Sequence, residues 1–193
     1  MKKIGLYFGS FNPLHNGHLN VANQVYYSEK FDEIWFVVSP HNPLKNIDDL
    51  FDFKLRCKLV KKSIKKIPYF KICKIEKHLP KPHYTANTLD ALKKMYPYDF
   101  SMIIGEDLIE NMKKWENVAK LLNDTSIICY TRFENLNHDL SMFKDIKLVK
   151  GPIMNFSATD IRHQIKTNIR FTKFLIPKPV YKHFLKQNKK IKE

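Results

Sequence analysis

Short apolar runs alternate with longer amphipathic stretches along this chain of 193 residues. The runs at 4–8 and 33–39 are nearly continuous in apolar residues, which is typical of parallel strands covered on both faces. The stretch at 49–67 instead repeats apolar residues at helical spacing, with lysines on the opposite side. The same patterns predict further strands at 69–75, 99–104, 125–130 and 146–149, and further helices at 19–29, from 84 onward, at 118–122, at 136–143, from 157 onward and at 177–188.

Strands and helices that alternate in this way predict right-handed crossovers and an α/β fold. We expect one Rossmann-like, doubly wound domain over 1–193, with a mainly parallel sheet and a C-terminal helical segment at about 157–188. A chain of this length with 44% apolar residues can bury a substantial core. Because ligands of such folds bind at the carboxyl ends of the strands, the loops that follow the strands are the candidate sites.

The loop after the first strand is the first of these candidates. It reads GSFNPLHNGH over 9–18, and we name it the histidine loop. Gly9 lets a ligand approach the backbone, Pro13 restricts the loop, and the imidazoles of His15 and His18 can both face a helix start. A strand-to-helix connection with surface histidines is the alternative. The loop lacks both the G-x-G-x-x-G and the G-x-x-x-x-G-K-S/T patterns, which argues against a plain dinucleotide-binding fold and a P-loop ATPase.

Two further loops at the same predicted edge carry candidate ligands. Lys45 follows the strand at 33–39 and can reach a triphosphate, although an ordinary surface lysine is the alternative. Gly105 and Asp107 follow the strand at 99–104, where a carboxylate can hold a ribose or reach a metal ion. A helix N-cap is the competing interpretation of Asp107.

A second phosphate-binding segment is predicted near the C-terminus. Ser157 and Asp160 have the spacing of a capping box, which alone explains a helix start. A cap does not require the neighbouring hydroxyl of Thr159 or the guanidinium of Arg162, which lie on one face above exposed N–H groups. Together these groups predict a second site for a phosphate.

The net charge of +15 suggests a polyanionic or phosphorylated partner. Only four of the 34 basic residues are arginines, namely Arg56, Arg132, Arg162 and Arg170. Because specific phosphate or base recognition favours the planar guanidinium, dispersed lysines more often form a solvated surface. The charge alone therefore does not predict a nucleic-acid-binding protein.

The cysteines Cys57, Cys73 and Cys129 are widely spaced and include no C-x-x-C pair. This pattern predicts neither a disulfide framework nor a zinc site. The short N-terminal apolar run passes directly into the histidine loop, and no run of about 18 apolar residues suggests a membrane span. We expect a cytoplasmic protein.

The histidine loop resembles the G-x-F-x-P-x-H-x-G-H signature of the nucleotidyltransferase superfamily, and 157–162 resembles the C-terminal signature of that superfamily. Bacterial-type nicotinate-nucleotide adenylyltransferases are similar at 84–89, at 104–107 with Trp115 downstream, and at 128–132. The resemblance covers residues 4 to about 185. It implies adenylyl transfer from ATP to nicotinate mononucleotide, which gives deamido-NAD and pyrophosphate in NAD biosynthesis.

The resemblance also implies roles for individual residues. On the ATP side they are Gly9, Ser10, Phe11, His15, His18, Gly105, Asp107, Ser157, Thr159 and Arg162, with His15, His18, Lys45 and Arg162 acting in catalysis. On the nicotinate-nucleotide side they are Tyr84, Thr85, Ala86, Trp115 and Arg132. Arg56 is a further candidate phosphate ligand, and a packed core residue is the alternative for Trp115. Mg²⁺ is expected to accompany ATP, and no metal site formed by the protein itself is predicted.

Two departures from the family pattern leave the acceptor open. Glu116 follows Trp115 where related enzymes often have a second aromatic residue, and 132–134 reads RFE in place of Arg-Pro-Gly. Alternatives are a nicotinamide-mononucleotide or phosphopantetheine adenylyltransferase and, from another class, a non-catalytic nucleic-acid-binding protein. Interleaved aromatic and basic recognition motifs are absent from the sequence, so we expect small-molecule partners and neither nucleic acid nor a membrane. The sequence leaves open whether the protein forms a homo-oligomer.

Overall fold

The computed structural model describes residues 1–40, 50–131, 138–152 and 154–190. Within these residues the strands form one six-stranded sheet in the order β3-β2-β1-β4-β5-β6, and every pairing is parallel. This arrangement confirms the predicted Rossmann-like fold, with a sheet that is parallel throughout. The strands are β1 (Lys3–Gly9), β2 (Glu33–Val38), β3 (Phe70–Cys73), β4 (Asp99–Gly105), β5 (Ser126–Thr131) and β6 (Ile146–Lys150).

The helices of the described residues lie on both faces of this sheet and at its C-terminal side. None of them is both long and apolar enough to cross a bilayer. Short 3₁₀ turns occur at Ile75–His78, Glu106–Leu108 and Ile169–Thr172. The α-helices are α1 (Asn16–Glu29), α2 (Phe53–Ile64), α3 (Thr85–Met95), α4 (Ile109–Met112), α5 (Val118–Asp124), α6 (Ala158–Asn168) and α7 (Lys178–Lys190).

Three hydrophobic clusters hold these layers together. On one face of the sheet, residues of α3 and α5 such as Leu92 and Leu121 pack against β4. On the other face, α1 and α2 pack against β2 through residues such as Val25 and Val60. A third cluster joins α6 and α7 to Leu59 of α2. The C-terminal helices are therefore anchored beside α2, on the same side of the molecule as the histidine loop.

The sheet reverses its winding direction between β1 and β4, which are neighbours. Tyr7 of β1 lies beside Ile103 of β4, so two residues further along Gly9 and Gly105 end the two strands side by side. In doubly wound folds this switch point opens the crevice in which ligands bind. The glycines of both predicted ATP-binding loops thus border it.

The predicted elements differ from the structure mainly at their ends. The first helix begins at Asn16, three residues before the predicted start, and α2 is shorter than 49–67 because the Asp52 carboxylate caps its first turn. The helix predicted at 136–143 is wrong over its described part, 138–143. There the Asp139 carboxylate accepts a hydrogen bond from the backbone N–H of Ser141 at 2.9 Å, which favours a turn over a helix.

The cysteines are buried and unpaired, in line with the absence of a predicted disulfide framework. Burial raises the pKa of the Cys129 thiol to about 12. The thiol is therefore protonated at neutral pH and is a poor nucleophile.

Candidate active site

The two histidines of the histidine loop cap helix α1 through a reciprocal pair of hydrogen bonds. The backbone N–H of His15 donates to Nδ1 of His18 at 3.2 Å, and the backbone N–H of His18 donates to Nδ1 of His15 at 3.3 Å. A ring that accepts at Nδ1 carries its proton on Nε2 in the neutral form. Each imidazole is therefore set up as an Nε2–H donor on the side of the ring away from the capping bond.

Aromatic rings hold the two imidazoles in this orientation. The rings of His15 and His18 stack with centroids 3.6 Å apart. Phe11 meets His18 edge-on at 5.1 Å, and Phe156 meets His15 edge-on at 5.4 Å. The imidazole pair is thus packed between a residue of the histidine loop and a residue that directly precedes α6, which limits its rotation.

Arg56, which the sequence leaves as a possible phosphate ligand, supports the histidine loop through hydrogen bonds to backbone carbonyls. Its side chain is only 1% exposed, and burial lowers its pKa, although a guanidinium stays charged at neutral pH. Each of its three nitrogens donates to a backbone carbonyl, which explains the side chain by structural contacts alone. The acceptors are the carbonyls of Ser10, Ser39, Pro40 and Phe51, at 2.5–2.9 Å.

The hydrogen bond from Arg56 also orients the peptide unit between Ser10 and Phe11. Because the C=O and N–H of a trans peptide point in opposite directions, the N–H of Phe11 points away from Arg56. The Phe11 ring itself is buried and lies 3.0–3.3 Å from where a Cβ on Gly9 would be. The backbone of Phe11, and not its side chain, is the part that can contact a nucleotide.

Arg162 of α6 reaches the histidine loop across 150 positions of sequence. Its Nη1 donates to the backbone carbonyl of Asn12 at 3.1 Å, and its Nη2 donates to the Thr159 hydroxyl at 3.2 Å. The histidine loop and the segment at 157–162 therefore converge in the fold, and their binding of phosphate stays a prediction. The guanidinium of Arg162 and the imidazole of His15 thus both contact groups that join the histidine loop to the start of α6.

The segment between α6 and α7 fixes the start of α1 from the same side. The backbone N–H of Asn16 donates to the carbonyl of Leu175 at 2.8 Å, and its side-chain amide donates to the carbonyl of Phe174 at 2.8 Å. The histidine loop is thus held by backbone contacts from the C-terminal part of the chain as well as by Arg162.

Ser157 and Asp160 form the capping box that the sequence predicts. The Ser157 hydroxyl donates to the Asp160 carboxylate at 2.7 Å and accepts from the Asp160 N–H at 3.2 Å. These contacts lower the pKa of Asp160. The Ser157 hydroxyl already has a structural role, and its contact with ATP stays a prediction.

Gly105 and Asp107 lie at the end of β4, across the switch point from the histidine loop. Asp107 is exposed and caps no helix: Gly105 is the N-cap of the 3₁₀ turn and Leu108 that of α4. A Cβ on Gly105 would collide with the Asp107 carboxylate, so glycine is needed for the carboxylate to fold back over the strand end. The N-cap interpretation of Asp107 is thus wrong, and its ribose role stays a prediction.

The predicted acceptor residues lie on the other face of the sheet. Ala86 of α3 and the half-buried Trp115 belong to the same hydrophobic cluster. Tyr84 precedes α3 and Thr85 begins it, and among the described residues no side chain caps this helix. The first backbone N–H groups of α3 therefore lie beside this hydrophobic cluster and donate to no capping side chain of the described residues.

Comparison with known proteins identifies the family. The model of the Cytidylyltransferase-like family matches residues 6–164. A probable nicotinate-nucleotide adenylyltransferase of Flavobacterium psychrophilum is 41% identical over 184 residues, which cover 94% of this chain and 95% of the relative. The nicotinate-nucleotide adenylyltransferase of Bacillus subtilis is 38% identical over 186 residues, 95% of each chain. The chain belongs to the nicotinate-nucleotide adenylyltransferase family.

Solved structures share the fold of this family member. The nicotinic acid mononucleotide adenylyltransferase of Plasmodium falciparum complexed with NaAD superposes with a TM-score of 0.81, covers 97% of this chain and 96% of its own, and is 23% identical. The same enzyme complexed with APC gives a TM-score of 0.79 over 98% and 96% of the two chains, at 22% identity. These matches support the Rossmann-like architecture along nearly the whole length.

Two residues predicted for this family site, Lys45 and Arg132, lie outside the described residues. Other contributors were missed from the sequence, namely the carbonyl of Asn12 and the ring of Phe156. The structural role of Arg56 did have a signal, because it falls on the apolar face of α2 together with Val60. An arginine at a buried position of a helix more often donates hydrogen bonds to other groups of the same protein than to a ligand.

Replacing Gly17 with alanine should impair the site without unfolding the protein. A Cβ at this position would lie 2.9 Å from Nδ1 of His15, so the imidazole must move. Alanine is otherwise favoured over glycine in a helix by about 1 kcal/mol. We expect adenylyl transfer to fall about tenfold, since small displacements of catalytic groups reduce rates by that order or more. Steady-state kinetics and thermal unfolding measure the two effects.

Gly5→Ala is the matched control for this substitution. A Cβ on Gly5 would meet the side chains of Ile34 and Ile103 in the core, far from the histidines. This variant should lose stability while the folded enzyme keeps its kinetic constants. Equal activity of Gly17→Ala and the wild type would show that the position of the His15 ring does not matter.

Proposed function

We propose that this protein transfers the adenylyl group of ATP to nicotinate mononucleotide, forming deamido-NAD and releasing pyrophosphate. The observation that supports the proposal is the hydrogen bond from Arg162 to the carbonyl of Asn12, which joins the histidine loop to the segment at 157–162. Family membership supports the same reaction. The chemistry then follows from the groups that these two segments present.

The reaction is an in-line displacement at the α-phosphorus of ATP. A phosphate oxygen of nicotinate mononucleotide forms a bond to this phosphorus, the bond to the bridging oxygen breaks, and its electron pair leaves with pyrophosphate. Because the attacking oxygen is already anionic, no nucleophilic side chain and no strong base is needed. Catalysis consists of positioning and of stabilising the charge on the transferring and leaving groups.

The residues around the histidine loop supply this stabilisation. In the proposal, the Nε2–H groups of His15 and His18 and the guanidinium of Arg162 donate hydrogen bonds to phosphate oxygens, and the backbone N–H of Phe11 contributes a further donor. Lys45 and the Thr159 hydroxyl assist. Ser157 and Gly105 shape the loops, and Asp107 accepts hydrogen bonds from the ribose.

The acceptor nucleotide binds on the α3 side of the crevice. The N–H groups of Thr85 and Ala86 face a position where a carboxylate is favoured, since they lack a side-chain cap and lie at the positive end of the helix. Trp115 offers a flat apolar surface for the pyridine ring. A carboxylate on that ring, which nicotinate has and nicotinamide lacks, therefore matches the site.

Magnesium enters this scheme as part of the ATP substrate. The groups that the proposal assigns to the phosphates, the imidazole Nε2–H groups and the Arg162 guanidinium, are N–H donors, which bind phosphate oxygens and do not ligate Mg²⁺. Mg²⁺ prefers phosphate oxygens and water, with few protein ligands, and neutralises charge on the triphosphate. We further propose a cytoplasmic location, supported by the unpaired, buried cysteines.

Pyrophosphate release from ATP and Mg²⁺ tests the proposal directly. The wild-type enzyme should release pyrophosphate with nicotinate mononucleotide and be at least about tenfold less efficient with nicotinamide mononucleotide, because an amide cannot make charge-assisted hydrogen bonds. Phosphopantetheine, the third acceptor, should give none. No release with any acceptor, together with RNA binding that weakens steeply with salt, would instead support the non-catalytic nucleic-acid-binding alternative.

A further inference from the structure

A buried carboxyl group lies between the two halves of the proposed site. Glu76 is in the 3₁₀ turn Ile75–His78 that follows β3, and its side chain is 1% exposed. Its Oε1 accepts a hydrogen bond from the hydroxyl of Thr88 at 3.1 Å. Thr88 is itself fully buried and lies one turn into α3. A buried carboxyl is unfavourable unless it is hydrogen-bonded, so the bond from Thr88 offsets part of the cost of burying Glu76.

The contact continues to the start of α3. The Thr88 hydroxyl also lies 3.3 Å from the carbonyl of Tyr84, the residue before the first helical N–H. Burial raises the pKa of Glu76, while hydrogen bonding by Ser39 and Thr88 partly opposes the effect. The Thr88 hydroxyl therefore lies within hydrogen-bond distance of both the Glu76 carboxyl and the carbonyl at the start of α3.

The same group is linked to the ATP side through the end of β2. Ser39 follows β2, and its N–H donates to the carbonyl of Gly9 at 3.0 Å. The carbonyl of Ser39 accepts from Arg56, which also holds the carbonyl of Ser10 in the histidine loop. Glu76 therefore faces a segment that is fixed to the histidine loop, and connects it to the first turn of α3.

We propose that Glu76 is a positioning residue for the acceptor nucleotide, acting through Thr88 to hold the N-terminal turn of α3 at a fixed distance from the histidine loop. This inference rests on the proposed function, because it assigns the start of α3 to the acceptor. Glu76 itself is buried and contacts no substrate. Its removal lets the Thr85 and Ala86 N–H groups shift, which weakens acceptor binding and leaves the ATP side in place.

Two pairs of variants test the proposal. Glu76→Ala and the shape-matched Thr88→Val remove the hydrogen bond, and the KM for nicotinate mononucleotide should rise about tenfold, as expected for the loss of a buried hydrogen bond. The KM for ATP and kcat should stay within about threefold of the wild type. Glu76→Gln and Thr88→Ser keep hydrogen-bonding groups at both positions, and each should restore the KM to within about threefold.

Leu92→Ala is the control for loss of stability. Leu92 is buried in α3 but belongs to the apolar packing and not to the hydrogen-bonded chain. It should lower the unfolding temperature without raising the KM for nicotinate mononucleotide. If Glu76→Ala does not fold, Thr88→Val and Thr88→Ser decide the question on their own.

Several results would overturn the proposal. They are an unchanged KM in Thr88→Val, an equal rise for ATP and for the acceptor, failure of Glu76→Gln and Thr88→Ser to restore the KM, or the same rise in Leu92→Ala. These outcomes all require an active wild-type enzyme. Absence of activity in the wild type contradicts the proposed function instead, so the two failures are distinguishable.

Discussion

Replacing His18 with alanine should lower kcat/KM for adenylyl transfer by at least about a hundredfold. The loss of one preorganised donor to a transferring group typically reduces the rate by that factor or more. Here the substitution also removes the stacking partner of His15 and the Nδ1 that accepts from its backbone N–H. Initial rates of pyrophosphate release at saturating and limiting substrate measure the effect.

The capping role of His18 requires a control in the same experiment. Removing a cap lowers helix stability by about 1 kcal/mol, which is too little to unfold a typical domain. The circular dichroism and the unfolding temperature should therefore show a folded variant. His163→Ala, which removes an exposed histidine next to Arg162, should keep the wild-type rate. Turnover of His18→Ala within a few-fold of the wild type would remove His18 from the proposed catalytic groups.

Replacing Arg56 with methionine should lower the free energy of unfolding by about 3–5 kcal/mol, the range observed when one partner of a buried charged interaction is removed. The substitution removes the hydrogen bonds that four partly buried backbone carbonyls accept from Arg56. Each unsatisfied group costs roughly 1–3 kcal/mol before relaxation. Activity should fall as well, because the carbonyls of Ser10 and Ser39 lose the group that fixes the histidine loop. Urea unfolding followed by circular dichroism gives the free energy.

Arg170→Met is the matched control, because Arg170 is exposed and its side chain is not part of this arrangement. It should change the free energy of unfolding by less than about 0.5 kcal/mol. Arg56→Lys should restore only part of the loss, since an ammonium group cannot reproduce the planar fork of the guanidinium. A loss below about 1 kcal/mol in Arg56→Met would contradict the supporting role.

The parts of this molecule that the sequence could predict depend on local patterns. The apolar runs were sufficient to predict a parallel sheet. The glycines that follow two of the strands were sufficient to predict the edge of the sheet where ligands bind. The spacing of Ser157 and Asp160 specified a capping box that the structure contains. Likewise, the three-residue spacing of His15 and His18 put both rings at one helix start, because residues three apart share a helix face.

The parts that were missed depend on contacts between distant residues. No local pattern indicates that Arg162 donates to the carbonyl of Asn12, because a backbone acceptor has no sequence signature. The histidine pair as reciprocal caps was also unforeseen, since imidazole is an uncommon cap. The supporting role of Arg56 was not foreseen, because its charge was considered before its position on the apolar face of α2. Burial of a charged side chain depends on the tertiary fold and not on charge alone.

The contacts of Arg162 and of the Phe174 and Leu175 carbonyls with the histidine loop have a consequence for biosynthesis. These groups lie between residues 162 and 175, while the loop that they stabilise lies at 9–18 and is synthesised well before them. A nascent chain that stops before residue 157 can already pair its six strands but has neither contact. In the proposed site, binding of the triphosphate therefore requires residues 157–175 as well as the histidine loop, and clipping of the C-terminal helices should abolish it while leaving the sheet intact.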